Sequence, residues 1–157
     1  MEIYRVAFIG HRQIIGHFDL VSEIERLAKD LLRQKEYVEF YVGHHGDFDL
    51  FAASAVKQVQ KAIGHHNSSL ILVQPFPTKD DEYYKKFYDE VLYPISPKTH
   101  PKAAITKRNQ WIMDQADLLI AYVEKDKKGG AYTAFRYMKK KGASIINLAG
   151  TKNERVE

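Results

Sequence analysis

Residues 107–148, KRNQWIMDQADLLIAYVEKDKKGGAYTAFRYMKKKGASIINL, decide the fold. They read as the end of a helix, a strand, a glycine-bearing loop, a second helix and another strand. The run 117–123 (DLLIAYV) is almost continuously apolar, which marks a strand covered on both faces in a parallel sheet. Gly129 and Gly130 open a segment in which Ala131, Ala134, Phe135 and Met138 recur at helical spacing. Gly142 ends that segment before a second apolar run at 144–148. A helix that starts just beyond a strand tip directs unpaired N–H groups and the positive end of its dipole outward, so this turn suits an anion such as phosphate. Thr133 adds a hydroxyl in the first turn. A glycine pair also fits a tight connection with no ligand. Its weight here comes from two further strands that run into glycine-bearing loops, because all such loops of a parallel sheet emerge at one edge.

The first of these strands is 4–9 (YRVAFI), ending at Gly10 and followed by His11 and Arg12. Glycine lets the backbone turn close to a ligand, and a guanidinium matches phosphate geometry, although a surface arginine after an ordinary strand is the plainer alternative. An amphipathic helix follows, preceded by His17 or Asp19, with Leu20, Ile24, Leu27, Leu31 and Leu32 along its apolar stripe. The second strand, 37–42 (YVEFYV), leads into GHHGDFDLFAASAV. There Gly43 and Gly46 bracket His44 and His45, and Asp47 or Asp49 starts a helix running to about residue 63. Either aspartate fits the helix dipole without a ligand, and either could accept hydrogen bonds from a ribose. His11 and His44 are hydrogen-bonding groups for a pocket rim.

A third strand, 69–73 (SLILV), has Gln74 at its tip. Residues 80–92 read as one acidic and aromatic helix with Tyr84, Phe87, Tyr88 and Val91 on a common face, and 93–101 as a proline-rich loop. The helix 103–115 carries Arg108 and Asn109 beside Trp111, Ile112 and Met113. A charge and an amide within a mostly buried helix imply a polar cavity, since burying them unpaired is costly; the alternative places Arg108 on the exposed flank.

With 157 residues, 45% of them hydrophobic, the chain suits one domain, 1–157, with its own core. The absence of cysteine removes disulfides, thiolate zinc sites and cysteine nucleophiles. There is no N-terminal signal region, and no apolar run approaches the ~18 residues that span a bilayer, so a soluble cytoplasmic protein without a membrane partner is expected. The seven histidines include the adjacent pairs His44–His45 and His65–His66, but neighbours in sequence rarely face one ion, and no metal site is expected. The net charge is +4, with clusters at Lys125, Lys127 and Lys128 and at residues 139–141. Lysines in a last helical turn complement the dipole, so the second cluster needs no ligand.

Four segments together resemble a known family: FIGHR at 8–12, G-x-x-G-x-x-D-x-x-A at Gly43, Gly46, Asp49 and Ala52, RNxWIMDxAD at 108–117, and GGAYT at 129–133. The chain resembles the YpsA-like branch of the SLOG superfamily, a Rossmann-like group that includes the LOG phosphoribohydrolases and the DNA-processing protein DprA. The resemblance spans residues 6–148. It implies a three-layer α/β fold, a Rossmann-like parallel sheet with helices on both faces, and a nucleotide or ADP-ribose/NAD-like ligand across the strand ends with no other cofactor required. It also implies a homodimer formed through helices flanking the sheet, for which the aromatic helix from Asp80 is the candidate surface. The LOG enzymes carry P-G-G-x-G-T-x-x-E. Here Gly129, Gly130 and Thr133 match, Tyr132 replaces the third glycine, and Arg136 stands at the place of the catalytic glutamate. Arginine can neither stabilise oxocarbenium character nor activate water.

The leading expectation is therefore a non-catalytic nucleotide-binding protein with no catalytic residue. Its ligand would be held by Gly10, His11, Arg12, Gly43, Gly46, Asp47, Asp49, Gln74, Arg108, Asn109, Gly129, Gly130 and Thr133. A nucleoside 5′-monophosphate phosphoribohydrolase, with Asp47 or Asp49 as carboxylate, ranks second. A DprA-like single-strand DNA binder, motivated by a pI of about 9.1, ranks third, because the lysine clusters are split between a loop and a helix end.

Overall fold

Buried strands that alternate with amphipathic helices satisfy both surfaces by stacking helices on the two faces of a parallel sheet. The computed structural model, which describes residues 1–150, has this arrangement. Its elements run β1 (Ile3–Gly10), α1 (Leu20–Gln34), β2 (Tyr37–Val42), α2 (Asp47–Ile63), β3 (Ser68–Val73), α3 (Asp81–Phe87), β4 (Glu90–Leu92), α4 (Pro101–Gln115), β5 (Leu118–Tyr122), α5 (Gly130–Lys140) and β6 (Ser144–Asn147). The strands form one parallel sheet in the order β4-β3-β2-β1-β5-β6, a Rossmann-like α/β fold of three layers. The chain builds outward from β1 to β4, then returns to add β5 and β6 on the other side of β1. The direction of winding thus switches between β1 and β5, and the crevice at the carboxyl ends of these strands is where ligands bind in open sheets of this kind.

Alternation along the central strand feeds two cores. Val6 and Phe8 pack with α1 and α2, whereas Ala7 and Ile9 pack with α4 and α5. At the tip of β1 the packing is tight, because a Cβ on Gly10 would lie 2.4 Å from Cγ of Phe48, the second residue of α2. Only glycine allows this close approach of helix to strand.

Two features depart from the apolar patterning. The stripe on α1 includes buried Glu23, whose Oε2 lies 2.5 Å from Nε2 of His17, and His17 Nδ1 is 3.0 Å from the Tyr122 hydroxyl. This polar seam fastens the β1–α1 connection to the end of β5. The second departure is a correction: the helix read over 80–92 ends at Phe87, and 90–92 form an edge strand. Tyr88 turns extended and buries its ring, while Asp89 donates its N–H to Leu70 O (2.9 Å) and accepts from Leu70 N–H (2.7 Å) through Oδ2. Pairing with the open edge of β3 therefore overrides helical spacing. Among the described residues no helix is long and apolar enough to cross a membrane.

Candidate functional site

The loops after β1, β2 and β5, together with one face of α4, enclose a cavity of about 380 Å³. Its arginine comes from α4, where Ala104, Arg108 and Ile112 follow one another at four-residue spacing on the buried stripe. A cation thus occupies the middle of an apolar face. Arg108 is only 2% exposed. Its Nη1 donates to Val73 O at the tip of β3 (2.9 Å) and its Nε to Asn109 Oδ1 (2.9 Å), and among the described residues no carboxylate lies within ion-pair distance. Burial pulls its pKa down and Arg12 adds to this, while Asp49 pulls it up. A guanidinium remains charged in such a setting, so the site carries a buried positive charge held by neutral groups.

Gly43 shapes the floor. A Cβ there would lie 2.7 Å from Arg108 Nη1 and 3.0 Å from Asp49 Oδ2, so the absence of a side chain is what lets both groups reach the same place. The Asp49 carboxylate accepts the His45 N–H (2.9 Å) and so also serves the start of α2. Burial raises its pKa, against the pull of that N–H and of Arg108. His45 directs Nδ1 at His44 O (2.9 Å), while its buried Nε2 has no protein partner among the described residues. Burial lowers its pKa, and Arg108 does so further. The neutral ring with its proton on Nδ1 presents an acceptor.

On the opposite side, α5 begins at Gly129 without any side-chain cap, and Lys128, Gly129, Gly130 and Ala131 line the cavity. First-turn N–H groups there are donors without a helical acceptor. Among the described residues Arg12, Arg108 and Lys128 outnumber the single acidic lining residue, Asp49, and the cavity favours an anion.

Nine of the thirteen residues singled out from the sequence line this cavity: Gly10, His11, Arg12, Gly43, Asp49, Arg108, Asn109, Gly129 and Gly130. The other four stand elsewhere. Gly46 leaves room for the Arg12 backbone, whose Cα would be 2.4 Å from an added Cβ. Asp47 donates its N–H to Arg12 O (2.8 Å) and accepts from Ile14 N–H (2.9 Å), so both residues hold Arg12 in place without facing the cavity. Gln74 is buried and reaches Asp81, whose carboxyl is pushed up by burial but held below the usual range by hydrogen bonds from Thr78, Tyr93 and Gln74. Thr133 is exposed and donates its hydroxyl to Gly129 O (3.0 Å). His11 accepts the Glu124 N–H at Nε2 (2.9 Å), joining the β1 and β5 loops. The rim histidine after β2 is His45; His44 turns away to the Tyr88 hydroxyl (3.1 Å). Lys128 was visible in the sequence only as one of a loop cluster of lysines that could steer a phosphate or simply be solvated, and His45 only as one of an adjacent pair, in which nothing tells which ring faces inward.

The fold and cavity define a Rossmann-like protein with a cationic crevice at its strand tips. No protein-family model and no curated protein matches the chain. Solved structures do. The chain is similar to DNA processing protein A from Helicobacter pylori, described for its single-stranded DNA binding mode, at 16% identity over 98% of this chain and 80% of that one, with a TM-score of 0.56. It is also similar to the molybdenum cofactor carrier protein of Chlamydomonas reinhardtii, at 11% identity over 94% of this chain and 78% of that one, with a TM-score of 0.58. Likeness at these identities shows a shared fold.

Proposed function

We propose that the chain is a binding protein of the SLOG type whose ligand is a nucleotide or a nucleotide derivative such as ADP-ribose. The observation that carries this reading is buried Arg108, whose charge meets, among the described residues, a carbonyl, an amide and, beyond ion-pair distance, Asp49 in the wall of a cavity that also holds Arg12 and the uncapped start of α5. A buried cation without an ion pair is costly, and an anionic ligand relieves that cost. The α5 turn and Lys128 on one side and the two arginines on the other suit the phosphates, and Asp49 suits ribose hydroxyls. Neighbours of the same fold are described as binding single-stranded DNA and as carrying the molybdenum cofactor, which is consistent with binding rather than turnover.

Calorimetric titration with AMP, ADP, ADP-ribose and NAD tests the reading. At least one of them binds the wild type, and Arg108→Met and Gly130→Asp weaken it. No binding across the panel, or unchanged affinity in both variants, removes the proposal. A second reading rests on Asp49, which among the described residues is the one carboxylate lining the cavity and whose pKa burial raises, as a hydrolytic acid requires. Release of adenine from AMP, lost in Asp49→Asn, would establish that activity; no release leaves binding alone.

A further inference from the structure

A second concavity, of about 570 Å³, lies between α2 and α3 on the other side of the β2–α2 loop. The adjacent histidines divide the two places, since His45 lines the cavity and His44 lines this groove. Residues Ala53, Lys57 and Lys61 recur every fourth position along the α2 wall, and α3 contributes Tyr83, Lys86 and Phe87. Among the described residues no aspartate or glutamate lines the groove. None of its three lysines lies within ion-pair distance of a carboxylate among the described residues, in contrast to neighbouring Lys85, which pairs with Glu82. Tyr83 is 66% exposed, and Lys57 Nζ sits 4.7 Å from the centroid of the Phe87 ring. These lysines belong to neither cluster noted in the sequence; helix pairing brings them together.

Ammonium groups spaced along a groove attract a phosphate chain, and ring faces beside them stack on planar bases. We infer that the α2–α3 groove binds a short stretch of single-stranded nucleic acid, with phosphates along Lys57, Lys61 and Lys86 and a base against Tyr83. A duplex stacks its base faces on one another and offers these rings nothing. A symmetric contact with a second copy would bring two lysine-bearing grooves together with no lining carboxylate to pair them. An acidic peptide would meet the charge but leave the rings without a partner.

The test is fluorescence anisotropy of the full chain with a labelled oligothymidylate of about twelve nucleotides. Three phosphate contacts on a single strand predict a roughly 20-fold weakening between about 50 and 200 mM salt. Lys57→Gln combined with Lys61→Gln should lower affinity and cut the salt slope to about one third, since each contact contributes equally to it. Tyr83→Ala should weaken binding about tenfold with the slope unchanged. Arg108→Met, which alters the other cavity, should retain binding. The proposal is overturned by no binding at the lower salt, by lysine variants that bind like the wild type, by loss of binding in Arg108→Met alone, or by a duplex or a poly-glutamate peptide that binds as well as the single strand.

Discussion

Two glycine-led helices begin with nearly the same backbone. Gly46 before α2 has φ 138° and ψ −170°, and Gly129 before α5 has φ 143° and ψ −163°, a conformation essentially reserved for glycine. Their surroundings differ. An added Cβ on Gly46 meets the Arg12 backbone at 2.4 Å, and one on Gly43 meets Arg108, whereas at Gly129 and Gly130 no atom of the described residues lies within 4 Å. The first loop is packed by the protein itself and uses its glycines to seat two arginines and Asp49. The second faces open space and presents backbone donors. A glycine pair in the sequence looks the same in both roles, and only the neighbours distinguish architecture from exposure.

Substitutions probe that contrast directly. Gly46→Ala combines backbone strain with a collision against main chain, and should lower stability by about 3–5 kcal/mol in urea unfolding. Gly129→Ala incurs the strain alone, about 1–3 kcal/mol. If the two cost the same, the difference in packing has no energetic meaning. Arg108→Met removes an unpaired buried charge but leaves the Val73 carbonyl and Asn109 Oδ1 without that donor, so stability should change by no more than about 1–3 kcal/mol, while nucleotide affinity falls roughly 10- to 100-fold. The smallest effect is one of pH. His45 and His11 have pKa values lowered mainly by burial, with Arg108 and Lys127 respectively adding to it, so below about pH 6.5 the unfolded chain takes up more protons than the folded one. The contribution of these two histidines should therefore be full above that pH and fall as acid is added, and His45→Gln should flatten that part of the profile, whereas Asp49, with its raised pKa, acts in the opposite sense.

Much of the architecture could be read from the chain because buried parallel strands are apolar runs. Residues 37–42 coincide with the observed limits of β2, and α2 starts at Asp47, the earlier of the two aspartates the sequence offered, and ends at Ile63. The edge strand β4 was not legible, since Tyr84, Phe87, Tyr88 and Val91 fit a helix and a three-residue strand has no period of its own. Within the site, Arg108 was visible as a polar misfit in an apolar stripe, although its choice between cavity and flank needed the position of β3. Asp47, Gln74 and Thr133 carry chemistry that suits a ligand, yet each is engaged locally by Ile14, Asp81 or Gly129. Local hydrogen bonds compete for short polar side chains, and sequence does not reveal which partner prevails. The Glu23–His17–Tyr122 seam was hidden for a related reason, because its members come from three separate segments.

The most direct test is a crystal structure of the protein soaked in ADP-ribose, with the phosphates located in the density. Nucleotide binding at this cavity requires them between the first-turn N–H groups of α5 and the guanidinium groups of Arg12 and Arg108, with a ribose hydroxyl on Asp49. Phosphates bound away from Arg108, with its guanidinium still facing only Val73 and Asn109, would contradict it.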